Sequence, residues 1–125
     1  MKQNPTISVC TIVKNERERI EDFLTSLDGF ADEIVIVDTG STDDTVVCIE
    51  NFISAHKSVN IRFLKYVSAG GFHYGVAKNF SIDNATKDYV IVLDADERLT
   101  DEFKQTVHDF ILVESPTVAS VARKD

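Results

Sequence analysis

Directly after the apolar run Tyr89-Val90-Ile91-Val92-Leu93 come three acids in four residues, Asp94-Ala95-Asp96-Glu97. A buried strand that ends in acids separated by one small residue places them at the rim of a sheet, where open α/β sheets bind ligands. Alternate strand residues share a face, so the pattern predicts Asp94 and Asp96 on the same side. Two hard oxygen donors converging there suit Mg²⁺ or Mn²⁺, and such an ion suits a phosphate-bearing substrate. A further acid, Asp38, closes a second apolar run, Ile34-Val35-Ile36-Val37. Strand ends line up along one edge of a doubly wound sheet, so Asp38 and the Asp94/Asp96 pair can surround a single ligand. A nucleotide diphosphate would need a metal for its phosphates and acceptors for its ribose hydroxyls and base edge, which carboxylates supply. The plainer alternatives are that Asp38 opens an Asx-type turn and that Asp94 caps the bend after its strand.

Other residues carry weaker signals. Phe72-His73-Tyr74 precedes Gly75. His73 could reach a phosphate from such a loop, and Phe72 and Tyr74 could flank a ligand. An exposed histidine and aromatics packed back on the core are the commoner outcomes. Gly70-Gly71 lacks the spacing and the Lys-Ser/Thr of a phosphate loop, and Gly40 belongs to no GxGxxG pattern, so both nucleotide fingerprints are rejected.

The elements that must hold these residues alternate between strand and helix. Ile7 to Val13 is almost continuously apolar, as a strand covered on both faces should be. Asn15 is suited to cap the helix that follows, in which Ile20, Phe23, Leu24 and Leu27 fall at helical spacing and Gly29 marks the end. The strand Ile34 to Val37 leads through Thr39-Gly40-Ser41-Thr42-Asp43-Asp44 into a second helix. Ser41 or Thr42 is its expected cap, and Val46, Ile49, Phe52 and Ile53 form its apolar stripe. Ile61 to Tyr66 alternates less cleanly and is expected nearer an edge. Ser68 to Gly71 reads as a loop, and a helix is expected from about Gly75 to Ala85. Thr100 is placed to cap a helix carrying Phe103, Val107, Phe110 and Ile111. Val118 to Ala122 reads as the start of a fifth strand. This alternation predicts an α/β fold with a mostly parallel sheet, helices on both faces and right-handed crossovers.

The 125 residues fit one domain, able to bury about two-thirds of its unfolded surface. A formal charge of −8 argues against a nucleic-acid partner, whose binding normally needs a basic face. Cys10 and Cys48 belong to no metal-ligand spacing and sit in apolar periodicity, so they read as buried free thiols in a reducing compartment. No apolar stretch approaches the roughly 20 residues of a membrane span, and the N-terminus lacks a signal-peptide core. The expected location is cytoplasmic, including a peripheral position at the inner membrane face.

Four ordered stretches together resemble a family 2 glycosyltransferase of the GT-A fold: Ile7 to Glu16, Ile34 to Thr45, Gly75-Val76-Ala77-Lys78-Asn79 and Val92 to Glu97. The likeness runs from about Ile7 to Leu99. With Asp-Ala-Asp-Glu-Arg-Leu, it is similar to bacterial enzymes that glycosylate lipopolysaccharide core and related cell-envelope acceptors. The resemblance implies a metal-dependent transfer from a UDP-sugar, with Mn²⁺ or Mg²⁺, to a hydroxyl of a saccharide or lipid-linked acceptor, with inversion. It implies that Thr11 and Glu16 lie beside the uridine and that Asp38 hydrogen-bonds the uracil or ribose. It further implies that Lys78, where relatives often carry Arg, faces the nucleotide or its phosphates. Asp94 would contact the ribose and metal region, and Asp96 would ligate the metal.

In such enzymes the catalytic base lies in a second half that follows the fifth strand. Residues 1–125 are therefore expected to form the donor-binding GT-A domain, incomplete relative to a full enzyme. Asp101, Glu102 and His108 are the ionisable residues soon after the acidic tetrad, and a solvated helix face accounts for them better than a catalytic role. Two other functions are weighed: a noncatalytic nucleotide-binding domain that keeps only the donor half, and a phosphoacceptor receiver domain with Asp94 as its acceptor. The receiver reading lacks the acidic pair after the first strand, where this chain has Lys14-Asn15-Glu16.

Overall fold

The computed structural model describes residues 6–67, 74–114 and 118–120, with side chains placed through Val107. Nine elements follow in the order β1 (Ile7–Val13), α1 (Ile20–Leu27), β2 (Glu33–Asp38), α2 (Thr45–Ala55), β3 (Ile61–Lys65), α3 (Tyr74–Asp83), β4 (Tyr89–Val92), α4 (Asp101–Glu114) and β5 (Val118–Ser120). All strand pairings are parallel and the strand order is β3-β2-β1-β4-β5. The chain thus moves outward from β1 to β3, then returns across the sheet to build β4 and β5 on the other side. That reversal makes the gap beyond β1 and β4 the topological switch point.

Burial follows from this layering. Every residue of β2 is buried, and β1 is buried except for half-covered Ile12, because both strands are interior and covered on both faces. Ile7, Val9, Val13, Ile34, Ile36 and Ile91 share the larger core with Phe23, Leu24 and Leu27 of α1, Ile49 and Phe52 of α2 and Val107 of α4. Cys10, Val35, Val90 and Val92 point the other way, where Ile82 and Ala85 cover them. Each fully buried Leu, Ile or Phe contributes roughly 1.5–3 kcal/mol, so most of the stabilisation lies on the α1/α2/α4 face. β3 is an edge strand, as its poorer alternation predicts.

Several local expectations are corrected. Asn15 does not cap α1; that position falls to Arg19, with no side-chain bond. Neither Ser41 nor Thr42 caps α2; Asp44 occupies the position, again without a side-chain bond. The third helix spans Tyr74–Asp83 rather than Gly75 to Ala85. Thr100 does cap α4, its Oγ1 accepting the Phe103 N–H at 3.0 Å. Gly29, with φ +88°, supplies the left-handed residue after α1. Expectations for Ser68 to His73, and for the side chains of His108, Phe110 and Ile111, lie outside the described residues. Among the described residues no helix is long and apolar enough to cross a membrane.

Candidate functional site

The strand bearing the acidic tetrad stops sooner than its apolar run suggests. β4 ends at Val92, and one further ladder bond joins Leu93 N–H to Cys10 O at 3.0 Å. The acids therefore ride a turn rather than the strand, closed by Glu97 N–H donating to Asp94 O at 3.0 Å. The Glu97 carboxylate reaches back and accepts the Asp94 N–H at 2.8 Å, so this acid is committed to the turn itself. Leu93 and Ala95 are buried while Asp94 and Asp96 are exposed. The two acids thus share the solvent side of the turn, reached by turn geometry instead of strand alternation.

The Asp94 carboxylate accepts a long bond from the Tyr74 hydroxyl, 3.4 Å, at the start of α3. Burial, then the Asp94 charge and this bond, and then Glu97, push the Tyr74 phenol above its ordinary value, so it stays a donor. Lys78 lies one helical turn after Tyr74, on the same side of α3. Lys78 is half-buried.

Asp38 ends β2 opposite Val13 of β1. It is buried, and its two oxygens serve the next turn: Oδ2 accepts the N–H groups of Gly40 and Ser41 at 3.1 and 3.2 Å, and Oδ1 accepts the Ser41 hydroxyl. Gly40 makes this possible at φ +117°, where any side chain is strained. The Asx-type turn, the plainer of the two roles for Asp38, is therefore present.

Asn15, in the left-handed region at φ +56°, joins the β1–α1 loop to the β2–α2 loop. Its N–H donates to Ser41 Oγ at 2.9 Å, and its Oδ1 accepts the N–H groups of Thr42 and Asp43 at 2.8 and 3.2 Å. Glu16 N–H donates to Thr45 Oγ1 at 2.8 Å, and the Glu16 carboxylate pairs with Arg19 at 2.7 Å. Thr45 donates its hydroxyl and its N–H to Asp43, and these bonds hold the Asp43 carboxyl below its ordinary value. Thr11 is placed differently: it is 0% exposed, inside β1 and paired with Ile36, on the face of the larger core. Its hydroxyl has no hydrogen-bond partner among the described residues.

The structure thus joins Asp94 to Tyr74, exposes Asp96 on the same turn as Asp94, and places Asp38, Asn15 and Glu16 on the neighbouring loops of the same sheet edge. Sequence reasoning missed Asn15 as a tie between loops, the Tyr74 link to Asp94, and Arg98, whose Nη1 donates to the Ala95 and Glu97 carbonyls of the acidic turn. Among the described residues no group of three or more His, Cys, Asp or Glu is gathered for a metal. A pair of exposed carboxylates still fits Mg²⁺ or Mn²⁺, which are commonly held by one or two protein carboxylates with substrate phosphates completing the shell.

An uncharacterised glycosyltransferase of Rickettsia bellii is 36% identical over 101 residues, which are 81% of this chain and 31% of that protein. The SPbeta prophage-derived glycosyltransferase SunS of Bacillus subtilis is 34% identical over 100 residues, 80% of this chain and 22% of SunS. The mannosyltransferase PcManGT from Pyrobaculum calidifontis, solved in complex with GDP-Man and Mn²⁺, superposes with a TM-score of 0.73 at 22% identity, covering 87% of this chain and 32% of that one. S. aureus TarS (residues 1–349) gives 0.70 at 26% identity, covering 85% and 32%. The chain spans about a third or less of the length of each of these proteins. The glycosyl transferase family 2 profile matches residues 8–125. With this match over nearly the whole chain and a parallel α/β sheet that superposes on these enzymes, the chain belongs to glycosyl transferase family 2 and has the GT-A fold.

Proposed function

We propose that these residues bind the donor of a metal-dependent glycosyltransferase, a nucleotide-sugar read as UDP-sugar. The glycosyl group passes to a saccharide or lipid-linked acceptor hydroxyl with inversion, in cell-envelope polysaccharide or lipopolysaccharide synthesis. The observation that carries the reading is the pair Asp94 and Asp96, exposed together on one turn at the switch point. PcManGT, which shares the fold, was solved with a nucleotide-sugar and Mn²⁺, which supports the class of donor and ion.

Asp94 and Asp96 would hold Mn²⁺ or Mg²⁺, which when bound neutralises the diphosphate of the departing nucleotide. Lys78 would add a positive charge on the phosphate side. Asp38, fixed by its own turn, would present its remaining acceptor capacity to the ribose or base. Glu16 would stand at the surface of that end, with Thr11 as buried support beneath. The base that deprotonates the acceptor belongs, in this proposal, outside the 125 residues. Asp101 and Glu102 occupy the first turn of α4, where acidic side chains are favoured by the helix dipole alone.

Calorimetry with UDP and GDP tests the reading. UDP is expected to bind in Mn²⁺ more tightly than GDP, and to bind more weakly when EDTA removes the metal. Asp96→Ala is expected to abolish that metal-dependent gain while the fold, followed by circular dichroism, stays intact. Absence of nucleotide binding in Mn²⁺, or wild-type binding by Asp96→Ala, would sink it.

A further inference from the structure

We propose that Arg98 is a positioning residue that sets the aim of Asp96; the role rests on the reading of Asp94 and Asp96 as the metal-and-diphosphate end of the site. The Arg98 guanidinium makes four hydrogen bonds. Nη1 donates to Ala95 O at 2.7 Å and to Glu97 O at 2.9 Å, the carbonyls of the residues on either side of Asp96. Nη2 donates to Arg19 O at 3.2 Å, and Nε donates to Asp22 Oδ2 at 2.9 Å. The cation also lies 5.5 Å from the ring centre of Phe23, which is fully buried. The acidic turn is in this way referenced to α1, whose inner face belongs to the core.

The direction of a Cα–Cβ bond is set by the two peptide units that flank the Cα. The unit before Asp96 carries the Ala95 carbonyl, which Arg98 holds. The unit after it carries the Glu97 N–H, which donates to Asp94 O at 3.0 Å. Both units are fixed, so the Asp96 Cα–Cβ bond leaves the turn in one direction, and the carboxylate is left only its own side-chain rotations. The ion pair with Asp22 is not the main effect: Asp22 is 79% exposed, and such pairs are weak. The carbonyl bonds matter more, and they use the planar fork of arginine. A lysine ammonium would be a single point donor on a flexible stem.

The test titrates UDP and GDP into the intact chain in saturating Mn²⁺ and again in EDTA, and takes the ratio of affinities as the metal-dependent gain. Arg98→Gln is expected to cut that gain by about tenfold or more, the usual effect of losing a residue that orients a ligand. Affinity in EDTA should stay at the wild-type value, and Arg98→Lys should recover part of the gain. A purely structural role would instead shift the unfolding midpoint and both affinities together, which would overturn the proposal. If Arg98→Gln does not fold, Arg98→Lys decides the matter, since it is expected to lower the gain to a smaller extent. A wild-type gain in every folded variant overturns the role of Arg98 alone. No gain in the wild-type chain overturns the reading of Asp94 and Asp96, and this role with it.

Discussion

Ala95, 1% exposed between two exposed acids, explains why the acidic motif has a small residue at its centre. Its methyl group joins the larger core with Leu93 and Leu99, and a bulkier side chain would have to overpack that core or roll the turn. Thr11 offers the opposite case at the same scale, a polar group where the core wants an apolar one. A buried hydroxyl without a partner costs free energy, and an apolar replacement of the same shape removes that cost. Thr11→Val is therefore expected to stabilise the chain by about 1 kcal/mol in urea unfolding. Because the hydroxyl is sealed from solvent, nucleotide affinity in Mn²⁺ should stay unchanged. A large loss of affinity would show that the hydroxyl reaches the nucleotide after all.

At the scale of elements, Asn15 and Ser41 do not cap α1 and α2 because these cap-type residues are used between loops. Asn15 receives two N–H groups from the start of the β2–α2 segment, and Ser41 answers by accepting the Asn15 N–H. Asn15→Ala should cost about 2 kcal/mol, combining lost acceptors with left-handed strain. Asn15→Gly should cost about 1 kcal/mol, since glycine relieves the strain but not the lost bonds. Equal losses in urea unfolding would show that the backbone conformation carries none of the effect. The same residues mark what could be read in advance. The strands were legible because Ile7 to Val13 and Ile34 to Val37 are buried on both faces and so apolar throughout. The starts of α1 and α2 were not, since an asparagine or serine that bonds a loop 26 to 28 residues away has the same local signature as the true cap that Thr100 provides for α4. Asp94 and Asp96 are both exposed, but for a different reason than the one expected, because strand alternation and a turn around a buried Ala95 give the same exposure pattern. Arg98 was hidden because its acceptors are backbone carbonyls, which every sequence has.

For the molecule as a whole, the two edges of the sheet do different work. The C-terminal edge carries the loops of the site, while the N-terminal edge is held by Glu33, a carboxylate only 2% exposed at the start of β2. Oε1 accepts the Ser8 hydroxyl at 2.7 Å and the Thr86 N–H at 2.9 Å, and Oε2 accepts the Thr86 hydroxyl at 3.0 Å. Ser8 Oγ in turn accepts the Lys87 N–H at 3.2 Å, so β1, β2 and the segment before β4 meet at one group. Burial alone would raise the Glu33 carboxyl, but the bonds from Ser8 and Thr86, with Arg62 at 3.9 Å, outweigh it and hold it below the ordinary 4.5. A carboxyl depressed in the folded state adds stability that is complete above its unfolded value and is lost as pH falls through the folded one. Wild-type unfolding free energy should therefore drop from about pH 5 downward, and the slope in that window should be shallower in Glu33→Gln. At neutral pH the variant should be about 2 kcal/mol less stable, because one amide cannot accept from all three donors. Its nucleotide affinity in Mn²⁺ should match the wild type, since the network lies at the edge opposite Asp94 and Asp96. Equal acid slopes would remove Glu33 as the group that titrates, and a loss of nucleotide affinity would show that the two edges are coupled through the sheet.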